Sequence, residues 1–438
     1  MNQAAKRLAV ATLGCKVNQY DTDAVVTQFL QAGYTLVDFR EQADVYLINT
    51  CTVTNLGDKK SRQMIRRAHR LNPHAQVVVM GCLAQTSPED VAELEGVSLV
   101  VGNDGRDRIV QELERLAEGD QKTLVEDIFQ VTDFEDLPAL NFSGRTRAAL
   151  KIQDGCNQFC TYCRVPYARG LPRSRHPESV LRQVELLVEQ GYKEIVLTGI
   201  HLGLYGVDLD PPLTLAEVSR QVAACPGLLR LRISSVDPHE ITDELVELFS
   251  SHPAVCRHVH IPLQSGSDRI LELMRRNYTS EQFLEIVRKL RAHVPGIAIT
   301  TDIMVGFPGE TEEDFAQTLE LTAEVGFSRI HVFQYSKRAG TKAARFPGQI
   351  PAAVKESRSK RLIELGHTLA EAFHRSSVGR SVEVLVEEQE QDCATGHTDN
   401  YVQVRFPAMG RDRVGELVQV QILGSDREGV WGELVEGR

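Results

Sequence analysis

At 438 residues the chain is longer than one ordinary core of about 100 to 200 residues accommodates, so two or three domains are expected. Apolar residues at 42% and charged residues at 25% exclude a disordered or low-complexity chain, and a net charge of -11 excludes a protein that coats nucleic acid with its whole surface. The sequence holds neither an apolar run of about 18 residues nor a cleavable leader, so no membrane association and a cytoplasmic location are expected. Thiols stay reduced there, and the nine cysteines read as metal ligands or buried apolar residues rather than disulfides.

In chain order, the apolar runs RLAVATL, ADVYLIN, AQVVVM and VSLVV alternate with amphipathic stretches at 21–31 and 59–70. This alternation predicts an open parallel α/β sheet over residues 5–120. A loop-like linker follows over 121–145, with an acidic patch at 133–136. Six strand-then-helix units then fill 146–375, with strands near AALKIQ, KEIVLTG, LLRLRIS, HVHIPL, AITTDIMV and RIHVFQY, and helices at 177–190, 243–251, 280–292, 312–325 and 352–375. Six units are fewer than the eight of a closed barrel and predict an open, partial (βα)6 barrel. Residues 376–438 carry the short alternating strands SVEVLVEE, YVQVRF, ELVQVQIL and GVWGELV, which predict a small antiparallel β barrel.

Cys156, Cys160 and Cys163 stand as C-x3-C-x2-C directly after the first barrel strand. Three thiolates on one loop wrap an iron-sulfur cluster and leave one iron without a protein ligand. S-adenosylmethionine can chelate that iron through its amino and carboxylate groups, which brings the sulfonium within reach of an electron from the cluster. A structural zinc site needs a fourth ligand, and none follows at a finger-like spacing. Cys15, Cys51 and Cys82 are dispersed, but each ends a predicted parallel strand, in TLGC, INTC and VMGC. They therefore meet at the carboxyl edge of the sheet, where open α/β folds bind ligands, either as a second metal-holding triad or as buried inert thiols. Cys225, Cys256 and Cys393 have no comparable partners.

Glycine-rich loops at 197–203, 264–267 and 306–311 lie at the same end of the barrel as the first triad, as cofactor contacts or as plain turns. Two runs are basic, with eight Lys/Arg against two Asp/Glu over 138–182 and eight against one over 337–361. They read either as solvated faces or as a guide for a polyanion.

The blocks TLGCKVNQYD, INTCTVT, GCLAQ, DGCNQFCTYCRVPYARG, EIVLTGIHLGLYG, HIPLQSGSDRILELMRR and DIMVGFPGET make the chain resemble the methylthiotransferase family of radical-SAM enzymes along nearly its whole length. RTRAALKIQDGC and YSKRAGTKAAR resemble the branch acting on N6-threonylcarbamoyladenosine next to the tRNA anticodon. The resemblance implies methylthio insertion at carbon 2 of that adenine, with S-adenosylmethionine as both methyl donor and radical source. It implies two [4Fe-4S] clusters, an auxiliary one on Cys15, Cys51 and Cys82 and a radical one on Cys156, Cys160 and Cys163. Tyr162 is then expected against the cofactor adenine, with Thr198, Gly199, Ser234, Gln264 and Gly306 lining the cofactor pocket. The implied partners are the tRNA anticodon stem-loop and a reducing electron donor such as flavodoxin or ferredoxin.

The last segment resembles the RNA-binding TRAM barrel, yet residues 378–438 carry six Lys/Arg against twelve Asp/Glu. At least two of Tyr401, Phe406 and Trp431 are expected in its core rather than on bases. RNA contact is then expected on the basic runs at 145–182 and 337–361, with Arg405, Arg411 and Arg413 adding a rim. Competing readings are methylthiolation of isopentenyladenosine in tRNA or of a ribosomal-protein aspartate, and a non-catalytic iron-sulfur or zinc protein that binds RNA.

Overall fold

A computed structural model describes residues 5–117, 119–139, 146–408 and 410–435. Arg145, at the head of one basic run, and the linker residues 140–145 lie outside the described residues.

Strands β1 (Arg7–Thr12), β2 (Thr35–Val37), β3 (Val45–Thr50), β4 (Gln76–Gly81), β5 (Val97–Val101) and β6 (Lys122–Leu124) form one parallel sheet in the order β2-β1-β3-β4-β5-β6. Helices α1 (Lys16–Gln31), α2 (Asn55–Leu71), α3 (Cys82–Thr86), α4 (Pro88–Ala92) and α5 (Ile109–Arg115) cover it. The near-continuous apolar strands suit burial on both faces. Tyr46, Ile48, Val77 and Val79 pack toward α2, α3 and α4, while Val45, Leu47, Val78 and Met80 pack toward α1 and α5. Strand order reverses between β1 and β3, which opens a crevice at their carboxyl ends. The edge strands β2 and β6 escaped the sequence reading because three residues are too few to show a period.

The linker is a strap rather than a loose loop. Phe134 lies 5.3 Å under the Lys151 ammonium, Glu135 pairs with Arg106 at 2.5 Å, and Asp136 pairs with Arg175 at 2.6 Å. Glu135 and Asp136 of its acidic patch hold the two domains it joins.

The second domain runs β7 (Arg147–Lys151), β8 (Gln153–Asp154), α6 (Val165–Arg169), β9 (Arg173–Ser174), α7 (Pro177–Glu189), β10 (Glu194–Thr198), α8 (Leu215–Ala223), β11 (Arg230–Ile233), α9 (Asp243–Ser251) and β12 (His258–His260). It continues through α10 (Asp268–Met274), α11 (Ser280–His293), β13 (Ala298–Val305), α12 (Glu312–Val325), β14 (Arg329–Gln334) and α13 (Ala352–Arg375). Capping boxes from Thr214 to Glu217, Thr279 to Gln282 and Thr311 to Asp314 start α8, α11 and α12. Strands β7, β10 and β11 form one parallel sheet and β12, β13 and β14 another. Parallel bridges from Leu231 to Val255 and from Ser235 to His260 join them, giving the expected six-stranded open barrel. The short pair β8 and β9 lies beside it.

Strands β15 (Ser381–Glu390), β16 (Cys393–Thr398), β17 (Gln403–Pro407), β18 (Leu417–Ser425) and β19 (Val430–Leu434) close a five-stranded barrel in the order β15-β16-β17-β19-β18. Val384, Val386, Val404, Phe406, Val420 and Ile422 fill it. It is not wholly antiparallel, because β17 and β19 pair in parallel where the ring closes. Strand β16, with the sequence CATGHT, has too few large apolar residues to have been legible. Of the three aromatics, only Phe406 lies in the core; Trp431 is 43% exposed, and Tyr401 packs against Arg147 and Arg232 of the open barrel. The end of β16 and the loop after it are held there by Arg230 donating to the His397 carbonyl at 3.0 Å and Arg232 to the Asp399 carbonyl at 2.9 Å.

Candidate active site

Cys15 caps α1 after β1, Cys51 follows β3, and Cys82 opens α3 after β4. Glycine is needed beside two of them. A Cβ on Gly14 (φ +105°) would stand 3.0 Å from the Cys51 Cβ, and one on Gly81 (φ +96°) would stand 2.2 Å from Asn49 Oδ1. Asn18 Nδ2 donates to the carbonyls of Leu13 at 2.7 Å and Thr50 at 3.0 Å, tying the ends of β1 and β3 together. Asn103 Nδ2 lies 3.6 Å from Cys82 Sγ and donates to the Ala168 carbonyl of the next domain at 2.8 Å. The three thiols lie in one another's fields, and burial pushes the Cys51 thiol up to about 11 and raises that of Cys15.

The second triad sits on a loop pinned at both ends. Cys156 N–H donates to the Gly170 carbonyl at 2.9 Å, and Gly155 leaves room for that approach, since a Cβ there would fall 1.9 Å from the Leu171 carbonyl oxygen. Thr161 N–H donates to the Met274 carbonyl at 3.0 Å, and its own carbonyl accepts from Ala343 N–H at 2.8 Å. His201 Nδ1 lies 3.3 Å from Cys156 Sγ, and its Nε2 lies 2.6 Å from Glu240. Burial opposes charge on this imidazole, but Cys156 and Glu240 hold its pKa up at about 10. Arg276 places Nη1 3.4 Å from Cys160 Sγ and Nη2 2.7 Å from Asp237. Burial and the neighbouring Cys160 push the Cys163 thiol up to about 12.

Thiols with raised pKa values are inert in themselves, whereas a metal that binds them as thiolates supplies the missing positive charge. Among the described residues no three His, Cys, Asp or Glu side chains close around a single ion. One zinc would draw its sulfurs to about 2.3 Å, whereas an iron-sulfur cluster is gripped by thiolates spread around it. The donor sets fit the second description, with cationic or amide groups beside Cys82, Cys156 and Cys160.

A buried ion lattice joins the two triads. Arg169, fully buried, donates to Asn18 Oδ1 at 2.6 Å, Asp21 Oδ2 at 2.9 Å and Asp154 Oδ2 at 2.9 Å. Lys151 lies 2.8 Å from Asp21 and 2.6 Å from Asp154, and Arg106 lies 2.5 Å from Asp21. Burial works against ionised Asp21, but Arg106, Lys151 and Arg169 hold its pKa down at about 2.

This lattice corrects the reading of the basic run at 138–182. Lys151, Arg169, Arg173 and Arg175 point inward and are at most 3% exposed. In the run at 337–361, Arg338 and Arg358 are buried too: Arg338 pairs with Asp58 at 2.6 Å and Arg358 with Glu310 at 2.6 Å. Lys337, Lys342 and Arg345 remain exposed. In the small barrel, Arg405 pairs with Asp426, and Arg411 and Arg413 reach Glu416 at 3.0 and 3.4 Å, so the basic rim is largely neutralised.

Thr198 ends β10 and Gly199 follows it, Ser234 follows β11, Gln264 follows β12 and Gly306 follows β13, all at the carboxyl ends of the strands. Two of these glycines serve the protein's own packing. The space a Cβ would need is filled by Gln153 at Gly199 and by Lys355 at Gly306. Gln264 adopts a left-handed conformation (φ 63°) and bridges to β13, its N–H donating to the Asp302 carbonyl at 2.8 Å. Tyr162 packs edge-on to Phe307 at 6.5 Å, beside Gly306. Cys225, Cys256 and Cys393 join neither triad; Cys256 is buried beside Arg232, and Cys393 is exposed at the start of β16.

Sequence reasoning missed His201, Arg276, Asn103, Asn18 and Arg169. Asn18, Arg169, His201 and Arg276 lie inside the blocks that carry the family resemblance, whereas Asn103 carried no signal. The rim also shows exposed apolar groups: Val53 and Leu56 past Cys51, and Tyr167 near Phe159, whose ring stacks with Phe129 at 6.3 Å.

Comparison with known proteins matches residues 150–322 to the radical SAM superfamily and residues 7–102 to the family described as Uncharacterized protein family UPF0004. The threonylcarbamoyladenosine tRNA methylthiotransferase MtaB of Bacillus subtilis (strain 168) is 46% identical, over 95% of this chain and 93% of that protein. The tRNA-2-methylthio-N(6)-dimethylallyladenosine synthase of Moorella thermoacetica is 39% identical, over all of both chains. Among solved structures, the radical S-adenosylmethionine methyltransferase TsrM of Kitasatospora setae superimposes with a TM-score of 0.57 at 18% identity, covering 75% of this chain and 73% of that one, a likeness of fold.

Proposed function

We propose that this chain, which belongs to the radical-SAM tRNA methylthiotransferase family, inserts a methylthio group at carbon 2 of N6-threonylcarbamoyladenosine next to the anticodon of tRNA. The observation that carries this reading is the pair of thiol triads, each at strand carboxyl ends, locked together by the Arg169 lattice.

Cys156, Cys160 and Cys163 would hold the radical cluster, and Cys15, Cys51 and Cys82 an auxiliary cluster. When bound, the first supplies an electron to cleave S-adenosylmethionine and the second holds sulfur for transfer. The chain's own residues fix the geometry around these groups. His201, braced by Glu240, and Arg276, braced by Asp237, set positive donors against two thiolates of the radical loop, which orients the ligands and stabilises their charge. Asn18 and Asn103 hold the ends of β1, β3 and β4 in fixed relation to α6. Tyr162, Thr198, Gly199, Ser234, Gln264 and Gly306 would line the cofactor pocket. Lys337, Lys342 and Arg345 would contact phosphate, and a flavodoxin or ferredoxin would supply electrons. No helix among the described residues is long and apolar enough to cross a membrane.

Mass spectrometry of tRNA nucleosides from a strain lacking the gene tests the substrate. Loss of 2-methylthio-N6-threonylcarbamoyladenosine with accumulation of its unthiolated precursor is the expected result. Loss of the methylthio derivative of dimethylallyladenosine instead would place the chain with the Moorella thermoacetica relative.

A further inference from the structure

The concave face of the open barrel gathers cations. Arg147 heads β7 and lies 3.1 Å from Glu387, Arg230 of β11 lies 3.2 Å from Glu383, and Arg232 donates to Glu194 at 2.7 Å. Arg147 and Arg232 also lie over the Tyr401 ring, 5.1 and 4.7 Å from its centroid. Each of these guanidiniums has an acceptor inside the protein.

Lys16 is different. It is the residue after Cys15 and the first of α1, so it enters from the other domain. Its ammonium acts electrostatically on Arg147, Glu194, Arg232, His258 and His331, which belong to β7, β10, β11, β12 and β14, and on Tyr401 of the small barrel. A group within reach of five strands of a half barrel lies at its concave face. The residue is exposed, and so open to a ligand. Among the described residues, no carboxylate or carbonyl stands within hydrogen-bond or ion-pair distance of it. An accessible ammonium without a partner, beside two guanidiniums whose own acceptors are already in place, is a positive charge that an anion would complete.

We propose that Lys16 reads the free carboxylate on the N6 substituent of the target adenosine. The inference rests on the substrate reading above and deepens it. A threonylcarbamoyl group ends in a carboxylate, whereas a dimethylallyl group is a hydrocarbon that would cover the ammonium and leave it unpaired, the kind of mismatch that discriminates strongly. Because Cys15 and Lys16 are consecutive, one backbone turn presents both the proposed auxiliary ligand and the charge that recognises the substituent. The distance between the reacting carbon and the carboxylate is thereby measured from a single point.

The test uses full-length reconstituted enzyme as wild type, Lys16→Gln and Lys16→Arg. Three synthetic anticodon stem-loops are compared, carrying N6-threonylcarbamoyladenosine, its methyl ester, or N6-dimethylallyladenosine. Affinity is read by fluorescence anisotropy, KM and kcat by product mass spectrometry, and folding by iron content. Lys16→Gln should lose roughly 10- to 100-fold in affinity for the carboxylate RNA, match wild type on the ester, and keep its iron, while Lys16→Arg should recover much of the loss. Equal weakening of carboxylate and ester RNAs would overturn the inference in favour of a phosphate contact. Weakened affinity for S-adenosylmethionine would overturn it in favour of the cofactor's own carboxylate. Failure of the substrate reading shows separately, as a wild type that does not prefer threonylcarbamoyl RNA over dimethylallyl RNA.

Discussion

Arg169 Nη2 donates at 2.6 Å to Oδ1 of Asn18, so a residue six positions after Cys163 grips one three positions after Cys15. The bond is one arm of a side chain that also neutralises Asp21 and Asp154. Replacing Arg169 by Met removes the cation and leaves two buried carboxylates undercompensated, a loss of about 3 to 5 kcal/mol. Chemical denaturation should show a lower midpoint. In the folded fraction, 5′-deoxyadenosine release should outlast methylthio product, because the two triads lose their register.

The triads should separate by mutation. Cys51→Ala should retain cofactor cleavage and about half of the iron while losing methylthio product, since only one cluster's ligands are touched. Cys160→Ala should abolish cleavage. Iron analysis, 5′-deoxyadenosine release and nucleoside mass spectrometry check all three, and methylthio product from Cys51→Ala would remove the auxiliary assignment.

Acid should attack the domain junction. The folded-state pKa of Asp21 is held down at about 2 from an ordinary 3.8, so its stabilisation is present above 3.8 and is lost as pH falls toward 2. The contribution is on the order of 2 kcal/mol. Stability measured by urea titration between pH 4 and pH 2 should fall less steeply in Asp21→Asn than in wild type, from a lower starting value.

The two kinds of arginine and lysine in the run at 337–361 should behave differently. Reversing Lys337, Lys342 and Arg345 together should weaken tRNA binding and flatten its salt dependence, by about 0.9 in logarithmic slope for each phosphate no longer neutralised, with little change in Tm. Arg338→Ala should instead lower Tm, because it strands Asp58. Unchanged tRNA affinity in the triple variant would move the RNA surface elsewhere.

Much of this was legible in the sequence, for a physical reason. The parallel strands are continuous apolar runs, and Cys15, Cys51 and Cys82 announce themselves by ending them. The Cys156 loop is local. The Arg169 lattice was not legible, since Arg169 and Asp21 are 148 positions apart and no periodicity links them. For the same reason the count of basic residues over 138–182 misled: charge is visible in a sequence, but whether Lys151 or Arg173 faces water depends on carboxylates elsewhere. Tyr401 was misplaced because its partners, Arg147 and Arg232, belong to another domain. Strand β16 was hidden by its small residues.

The strap formed by Phe134, Glu135 and Asp136 bears on how this protein could be taken apart. Glu135 is anchored to Arg106 on one side and Asp136 to Arg175 on the other, while Lys151 is shared between Phe134 and Asp21. A radical barrel excised at residue 146 would leave Lys151 and Arg169 with Asp154 alone, without Asp21, and Arg175 without Asp136. A chimera that exchanged the first 120 residues with a relative would have to supply the equivalents of Asp21 and Arg106 in register. The first two domains are therefore one heritable unit.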